Sequence, residues 1–381
     1  MAVAVISEFN PFHNGHKYLI ETAKKLTNEP VVAIMSGSFT QRGEVAVTDK
    51  FSRAKTALEN GVDLVLELPA VYAVANAQRF AFCGVQIAKS FDCVNYLAFG
   101  CESGNVDSLK KALDAVENPA VNELTAAKMS SGDYYPRALQ SAVSEVFGEE
   151  TAEVLSSPNN ILAVEYLKNL ADTNIQPLAV KRIGTAHDSE KTSGEFASAS
   201  LVRSILRRNE NAENYVPSVA HRITFPENLE RIMLYKFRMM CAEDFSFLPD
   251  VNEGLENRIV DAVKNYNSVK EIITAVKTKR YTHARLHRIM TCALLDITES
   301  LQRTPIEYVR VLGFTKSGAS LLRNCRLEVV TSVAKALKSD SKISNITKLL
   351  QKDVLATDIA ALAYNDVGKC GNDYIEQIVK I

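Results

Sequence analysis

The sequence lacks an excess of charge of either sign. Its 381 residues include 44 Lys and Arg against 45 Asp and Glu, which leaves a formal net charge of −1 at pH 7. A strongly basic balance is a common sign of nucleic-acid binding, and this chain does not have it. Any nucleic-acid partner must therefore be bound by a local basic surface.

Paired cysteines and long apolar runs are also missing. The seven cysteines are scattered, and none forms a Cys-x-x-Cys pair with histidine partners, so the sequence gives no sign of a zinc site. An odd, dispersed set is typical of reduced thiols, and we expect a cytoplasmic protein. The apolar run at residues 3–6 is too short to span a bilayer, and no basic segment with a long apolar core is visible there. We therefore expect neither a membrane partner nor a signal peptide.

Strand and helix signals alternate over the first two hundred residues. Short apolar runs near 3–6, 31–35, 63–68, 96–99 and 178–183 are separated by helical patterns, an order that predicts βαβ units and a parallel sheet. Strand signals fade after about residue 215, and helical patterns follow. We predict an α/β protein with an N-terminal Rossmann-like domain over 1–210, including a helical insertion at about 120–172. A mostly α-helical domain is predicted over 211–381.

The turn between the first strand and the first helix reads His13-Asn14-Gly15-His16. In an open α/β sheet this turn lies at the mouth where ligands bind. Glycine lets the backbone approach a ligand, the helix start offers free N–H groups, and two imidazoles can donate hydrogen bonds to a leaving pyrophosphate. A pair of ordinary histidines is the first alternative. A zinc site with His at i and i+3 is the second, although no third ligand is adjacent.

This turn belongs to a longer stretch, Glu8-Phe9-Asn10-Pro11-Phe12-His13-Asn14-Gly15-His16. It resembles the signature of the HxGH nucleotidyltransferases and, more narrowly, of the tRNA(Met) cytidine acetate ligase family. Further blocks follow in that family's order: Met35 to Glu44, Lys50 to Arg53, Gly61 to Pro69, Phe99 to Gly104, Ser157 to Leu162 and Lys181 to Gly184. The resemblance covers essentially the whole chain. Phe9 departs from it, since the family is expected to have Tyr there.

The resemblance implies a reaction in two steps. Acetate attacks the α-phosphate of ATP to give acetyl-adenylate and pyrophosphate. The N4 amine of the wobble cytidine of elongator tRNA(Met) then takes the acetyl group, which gives N4-acetylcytidine and AMP. Acetate is already ionised at pH 7, so the first step needs cations and dipoles rather than a general base. ATP is the co-substrate, and Mg²⁺ is expected to bridge its phosphates.

The resemblance also implies where the site residues lie. His13, His16 and Lys17 are the candidate catalytic residues, and Lys50 and Arg53 are further candidate cations for the phosphates. The serine block around Ser198 resembles a helix start that contacts phosphates, although Ala199 removes one hydroxyl from the commoner form. No side chain is assigned to a metal. The candidate ATP-binding residues are Ile6, Ser7, Glu8, Phe9, Asn10, Pro11, Phe12, Asn14, Gly15, Leu19, Gly100, Asn159, Asn160, Arg182, Ile183, Ser198 and Ser200.

Residues 277–288 form the most basic segment of the chain, with no acidic residue among them. Its candidate tRNA-binding residues are Lys277, Lys279, Arg280, Arg285 and Arg288. Arg285 and Arg288 share a face of a helix that is predicted to begin near Thr282. A solvated helix face is the alternative interpretation. Two further sets could extend this basic surface: Arg203, Arg207 and Arg208, and Arg310 near Phe314.

Two other functions remain open at this point. A small-molecule adenylyl- or cytidylyltransferase of the same superfamily would carry the same first turn. A non-catalytic nucleotide- or RNA-binding module is disfavoured because both histidines are present. The long helical second half favours the RNA-modifying ligase, since a metabolite enzyme needs no such platform. The oligomeric state cannot be predicted from the sequence.

Overall fold

One sheet of eight strands organises the protein. The computed structural model describes residues 1–183, 194–218, 222–252, 254–278, 280–339 and 344–381. The strands are β1 (Ala2–Ser7), β2 (Val31–Ser36), β3 (Leu64–Leu68), β4 (Val94–Cys101), β5 (Gln176–Lys181), β6 (Tyr308–Phe314), β7 (Glu328–Val330) and β8 (Val379–Lys380). Their order in the sheet is β5-β4-β1-β2-β3-β6-β7, and β8 pairs with β6.

The first five strands are parallel, as the alternation of signals predicts. Val5 in β1 is in register with Ala33 of β2 on one side and with Ala98 of β4 on the other. Strands β2 and β3 therefore lie on one side of β1 in the sheet, and β4 and β5 lie on the other side. This arrangement opens a crevice beyond the carboxyl ends of β1 and β4, where open α/β sheets bind ligands.

Ten helices accompany the parallel strands in the described part of residues 1–210. They are α1 (Asn14–Thr27), α2 (Lys50–Glu59), α3 (Ala70–Ala73), α4 (Ala77–Lys89), α5 (Val106–Glu117), α6 (Pro119–Ser130), α7 (Tyr135–Phe147), α8 (Glu149–Val154), α9 (Pro158–Leu170) and α10 (Ala199–Arg207). α1 and α2 cover one face of the sheet, where Phe9, Phe12 and Ile20 are buried. α4 and α9 cover the other face, and their apolar residues join the larger core.

The second half is mostly helical. Its helices are α11 (Glu230–Met239), α12 (Ala242–Ser246), α13 (Leu255–Asn265), α14 (Val269–Val276), α15 (His283–Leu295), α16 (Glu299–Gln302), α17 (Lys316–Leu321), α18 (Val333–Ser339), α19 (Asn345–Ala361) and α20 (Asn372–Ile375), with 3₁₀ turns at Pro226–Leu229 and Leu322–Asn324. Among the residues described, no helix is long and apolar enough to cross a membrane. The predicted α/β class with a helical second half is confirmed.

Strands β6, β7 and β8 were not predicted, because the sequence analysis found that strand signals fade after about residue 215. β6 lies antiparallel to β3, with Leu64 opposite Phe314 and Leu66 opposite Val311. Every residue of β6 up to Gly313 is buried, which explains the apolar run there. The sheet therefore draws strands from both sides of residue 210, and the division of the chain at that residue stays a prediction.

Candidate active site

The turn between β1 and α1 is held in place by contacts from distant segments. The Asn10 side chain accepts a hydrogen bond from the Val47 amide at 2.7 Å, and Arg203 donates to the Asn10 carbonyl at 3.0 Å. Phe9 has a left-handed φ of 45°, and its buried ring lies 4.9 Å from that of Phe12. The backbone strain at Phe9 is thus compensated by packing on both sides of the turn.

His13 and His16 form a stacked pair at the start of α1. Their ring centroids are 3.8 Å apart, at an interplanar angle of 27°. His13 Nδ1 accepts a hydrogen bond from the Gly15 amide at 3.0 Å, and His16 Nδ1 accepts one from the His13 amide at 3.2 Å. Each Nδ1 is therefore an acceptor, so each neutral ring carries its proton on Nε2. The pair presents two Nε2–H donors.

Both imidazoles are held in the neutral form. Burial lowers the pKa of His13 to about 3, and the positive charges of Arg182 and Arg203 act in the same direction. Burial also holds the pKa of His16 well below its usual value, with further contributions from His13 and Arg182. Protonation would place a hydrogen on Nδ1, which now accepts a hydrogen bond, and would break the cap of α1. The rings therefore act as neutral hydrogen-bond donors at physiological pH.

Two details of this turn correct the sequence analysis. The first amides of α1 are not free for a ligand: the Asn14 amide donates to the Tyr215 carbonyl, and the His16 and Lys17 amides donate to the His13 carbonyl. Gly15 also has a different role, because a Cβ there would lie 2.8 Å from Cε1 of His13. Glycine makes room for the imidazole, and both imidazoles line the pocket.

A deep concave pocket opens beside these histidines, and we call it the ligand pocket. Of the predicted residues it brings together Ile6, Ser7, Glu8, Phe9, Asn10, His13, Gly15, His16, Leu19, Gly100, Asn159, Arg182, Ile183, Ser198 and Ser200. They come from the ends of β1, β4 and β5 and from the starts of α1, α9 and α10. The pocket therefore lies in the crevice that the sheet order predicts.

Some predicted residues lie outside the lining. The Lys17 ammonium is 3.9 Å from Glu21 on the surface of α1, and the Asn14 side-chain nitrogen donates to the carbonyls of Glu195 and Asn214 at 2.9 Å. Pro11 and Phe12 are buried behind the turn. The Asn160 side chain accepts from the Glu102 amide at 3.0 Å. The buried residues Pro11, Phe12 and Asn160 therefore support the turn and the pocket wall, whereas Lys17 lies on the surface.

The wall opposite the histidines is organised by Glu102. Its carboxylate accepts a hydrogen bond from Asn159 at 2.7 Å and lies 3.5 Å from the Arg182 guanidinium. A Cβ on Gly100 would lie 3.4 Å from Cγ of Arg182. Glu102 was quoted in a sequence block but was not assigned to the site. Its role depends on two partners that the fold brings together.

A loop after β2 closes one side of the ligand pocket, and the sequence analysis did not assign it. Gln41 and Arg42 line the pocket, and the Gln41 amide donates to Glu8 at 2.6 Å. Burial raises the pKa of the Glu8 carboxyl. The Thr291 hydroxyl of α15 donates to the Gly43 carbonyl at 2.6 Å. A helix from the second half of the chain therefore holds this loop.

The far end of the ligand pocket is apolar. Phe80, Phe99, Leu162 and Tyr166 line it, and the rings of Phe99 and Tyr166 are 5.8 Å apart. Burial raises the pKa of Tyr166 well above its usual range, so its phenol is a neutral group. The sequence analysis missed these residues because an apolar side chain at helical spacing usually indicates core.

The serine block also reaches the ligand pocket. Ser198 caps α10 by accepting a hydrogen bond from the Leu201 amide at 3.1 Å, and Arg203 donates to the Ser200 hydroxyl at 3.2 Å. Both serines line the pocket. The N-cap predicted at Ser198 is confirmed.

The candidate cations Lys50 and Arg53 do not reach the ligand pocket, which corrects the sequence analysis. Lys50 is fully buried and pairs with Glu67 at 2.8 Å and with Asp373 at 2.9 Å. Arg53 donates to the carbonyls of Glu8, Ser36, Thr48 and Gly37, and burial lowers its pKa to about 10. Both cations hold the fold together beneath the pocket.

The residues of the basic segment at 277–288 differ in their exposure. Arg285 donates to the Asp250 carbonyl at 2.6 Å and to Asn252 at 2.7 Å, and Arg288 pairs with Asp250 at 3.3 Å. Lys277 and Arg280 are exposed, and Lys279 lies outside the described residues, as does Gly184 of the block at 181–184.

Arg310 is not part of any basic surface. It is buried and pairs with Glu67 and Asp373, both at 2.8 Å. This contradicts the suggestion that Arg310 extends a basic surface, and its physical reason is that β6 lies inside the sheet rather than on the exterior. We call Lys50, Glu67, Arg310, Asp353 and Asp373 the buried ionic cluster.

Comparison with known proteins gives one consistent result. The family model described as HIGH Nucleotidyl Transferase matches residues 1–373. A curated relative from Thermoanaerobacter sp. (strain X514), named tRNA(Met) cytidine acetate ligase, is 37% identical over 404 residues, which is 100% of this chain and 99% of the relative. A relative of the same name from Caldanaerobacter subterraneus subsp. tengcongensis is 35% identical over 405 residues, covering 100% of each.

Two solved structures are also similar over the full length. Thermotoga maritima TmcAL in its apo form has a TM-score of 0.91 at 28% identity, and the match covers 100% of this chain and 99% of that one. The same protein bound with alpha-thio ATP has a TM-score of 0.89 with the same identity and coverage.

Proposed function

Because the chain belongs to the HIGH nucleotidyl transferase family, and within it to the tRNA(Met) cytidine acetate ligases, we propose that it acetylates the wobble cytidine of elongator tRNA(Met) with ATP and acetate. In the first step an acetate oxygen forms a bond to the α-phosphorus as the bond to pyrophosphate breaks. In the second step the N4 amine attacks the acetyl carbonyl, loses a proton, and AMP leaves.

The stacked histidines are the observation that carries this proposal. Two neutral Nε2–H donors lie together at the positive end of α1. Charge builds on the leaving pyrophosphate only as the reaction proceeds, so fixed donors stabilise the transition state more than the ground state. Each such donor is worth about 3 kcal/mol. His13 and His16 are therefore the proposed catalytic residues, and Lys17 is proposed to act through the local potential.

The remaining pocket residues bind and orient ATP in this proposal. Arg182, set by Glu102 at 3.5 Å, provides a fixed cation across from the histidines. Asn159 and the serines of α10 contribute neutral polar groups, and Ser198 and Ser200 line the same pocket. Since acetate and ATP are both anions, a pocket with more arginine than carboxylate brings them together at low cost.

Mg²⁺ is proposed to enter with the phosphates of ATP. Among the described residues, no group of three or more His, Cys, Asp or Glu side chains is arranged to hold a metal ion. In this proposal the ion is held mainly by phosphate oxygens and water, as Mg²⁺ commonly is. When bound, the ion neutralises phosphate charge.

Binding of tRNA is proposed to involve the helical half over 211–381, with the ATP-binding part over 1–210. Lys277 and Arg280 are exposed and are the stronger phosphate-binding candidates of the basic segment. Arg285 and Arg288 contact Asp250 and support the surface from below. The proposed tRNA substrate would place the enzyme in the cytoplasm.

The proposal is tested by incubating the protein with tRNA(Met), ATP and labelled acetate, followed by nucleoside analysis. We expect labelled N4-acetylcytidine, and acetate-dependent exchange of pyrophosphate into ATP in the absence of tRNA. A matched reaction with a tRNA that lacks a wobble cytidine is the control. Exchange that depends only on a phosphorylated metabolite would overturn the proposal in favour of a small-molecule nucleotidyltransferase.

A further inference from the structure

A second concavity continues from the ligand pocket along one face of α10. Ser200, Arg203, Ser204, Arg207 and Arg208 line it, and we call it the arginine groove. These residues are spaced three and four apart, so they share one side of the helix. Ser200 lines both the ligand pocket and the groove. A polymer in the groove would therefore have one end at the pocket mouth.

Arg207 differs from its two neighbouring arginines. Arg203 is fixed by the Asn10 carbonyl and Ser200, and Arg208 donates to Glu210 at 2.8 Å. Arg207 donates through Nε to the Thr224 carbonyl at 3.3 Å. Its Nη2 is buried and has no hydrogen-bond partner within the described ranges. A buried donor without a partner is unfavourable, so an acceptor from a ligand would stabilise this site.

The other lining residues indicate the kind of ligand. Glu44 and Glu227 lie in the same groove as the three arginines. Arg203 lies 3.9 Å from Glu44 and Arg208 pairs with Glu210, which leaves Arg207 as the arginine that offers a donor to an anion. Phe225, which is half-buried, adds an aromatic ring. Guanidinium groups beside an aromatic ring suit single-stranded RNA, because the backbone is an anion and an unstacked base can lie on the ring. Free pyrophosphate has no base that could stack on the ring.

We propose that the arginine groove binds the anticodon-loop backbone next to the wobble nucleoside, with Arg207 on a phosphodiester and Phe225 against a neighbouring base. This inference rests on the proposed function. The wobble base must reach the acetyl-adenylate in the ligand pocket, so its own backbone must pass the pocket mouth. The groove begins at that mouth, at Ser200.

The first test is Arg207→Gln, measured in two assays. We expect kcat/KM for tRNA acetylation to fall about 10- to 100-fold, mostly through KM, because one phosphate contact is lost. The slope of log affinity against log salt should decrease by about one. Acetate-dependent ATP–pyrophosphate exchange should stay within about twofold, since Arg207 is absent from the lining of the ligand pocket. Arg137→Gln, on the exposed face of α7 near Asp133, is the matched control and should change neither assay.

Two further variants separate charge from shape. Arg207→Lys keeps the cation and should recover part of the lost affinity along with the salt slope. Phe225→Leu keeps an apolar side chain but loses the ring, and should weaken tRNA binding about fivefold or more without changing the salt slope. Melting temperatures of all variants, measured in parallel, identify any that fail to fold.

The outcomes distinguish the groove from the proposed function. If wild-type protein makes no N4-acetylcytidine, the proposed function fails. If wild type is active and Arg207→Gln lowers exchange as much as tRNA acetylation, the groove serves ATP or pyrophosphate and the RNA proposal is overturned. Folded Arg207→Gln with unchanged KM for tRNA would overturn it as well.

Discussion

The ligand pocket and the buried ionic cluster both contain cations from sequence blocks that the family resemblance singled out, yet those cations have opposite roles. Arg182 lines an open pocket and is held by a single half-buried carboxylate. Lys50 is fully buried between Glu67 and Asp373. A cation can act on a ligand only where the fold leaves its charge partly uncompensated, and in the cluster the fold does not.

Partner residues explain this difference. The buried ionic cluster receives Arg310 and Asp373 from the second half of the chain, and both bind Glu67 or Lys50 at hydrogen-bond distance. A Cβ at Gly37 would lie 2.2 Å from the Glu67 carboxylate, so glycine is needed there to admit that carboxylate. Lys50, which the sequence analysis took as a candidate phosphate-binding cation, thus joins the two halves of the chain.

The largest effect is expected for Lys50→Met. Removing the ammonium leaves two buried carboxylates, Glu67 and Asp373, to share the single cation of Arg310, which costs about 3–5 kcal/mol in the free energy of unfolding. Chemical denaturation measures this loss. Lys55→Met, on the exposed face of the same helix beside Glu59, is the control and should be nearly neutral. If Lys50→Met has normal stability but fails to bind ATP, Lys50 binds the ligand and is not a structural cation.

In the ligand pocket, His16→Asn separates catalysis from helix capping better than His16→Ala does. The Asn side-chain oxygen can replace Nδ1 as acceptor for the His13 amide, while the Nε2–H donor is lost. We expect acetate-dependent exchange to fall about 100-fold or more, with little change in melting temperature. His16→Ala should lose both exchange and the cap, the latter at about 1 kcal/mol. Full exchange activity in His16→Asn would show that only the cap matters.

A smaller effect concerns pH and Asp353. Burial and the nearby Glu67 raise the pKa of Asp353 to about 7, and Tyr308 and the Ala70 amide both donate to its carboxyl group. Between about pH 4 and 7 the folded protein therefore retains a proton that the unfolded chain has lost. The free energy of unfolding contributed by this group must decrease as pH rises through that window.

The measurement is melting temperature from pH 5 to 8 for wild type and Asp353→Asn. Because asparagine does not titrate, the variant should lose about 2 °C less than wild type across this range. His13 has the opposite dependence, since its pKa is lowered, but it is present in both proteins and cancels in the difference. Parallel curves would mean that Asp353 is ionised throughout.

The smallest effect separates two basic residues of 277–288. Arg285→Ala removes hydrogen bonds to Asp250 and Asn252 and should lower the free energy of unfolding by about 1 kcal/mol. Lys277→Ala removes an exposed charge and should leave stability unchanged while weakening tRNA binding about twofold. Denaturation and filter binding, applied to both variants, test the pair. If Arg285→Ala weakens tRNA binding without lowering stability, Arg285 is the RNA contact.

Sequence reasoning predicted the parallel strands and the histidine turn because both depend on local patterns. It was harder to predict which cations line the pocket, because nothing in the sequence distinguishes Arg182 from Lys50 and Arg53. Their roles depend on Glu67, Glu102 and the carbonyls that the fold places beside them. β6 was missed because its central Arg310 resembles a surface residue. Its partner Asp373 lies 63 residues away, beyond any local pattern.

The hydrogen bond from Thr291 to Gly43 has a consequence for synthesis of the protein. A ribosome that has made 200 residues has already made every side chain that lines the ligand pocket. The loop bearing Gln41 and Arg42, however, gains its contact with α15 only when that helix emerges, and Lys50 pairs with Asp373 later still. The nascent chain therefore carries every side chain that lines the ligand pocket before it carries the helix that holds one of the pocket's loops.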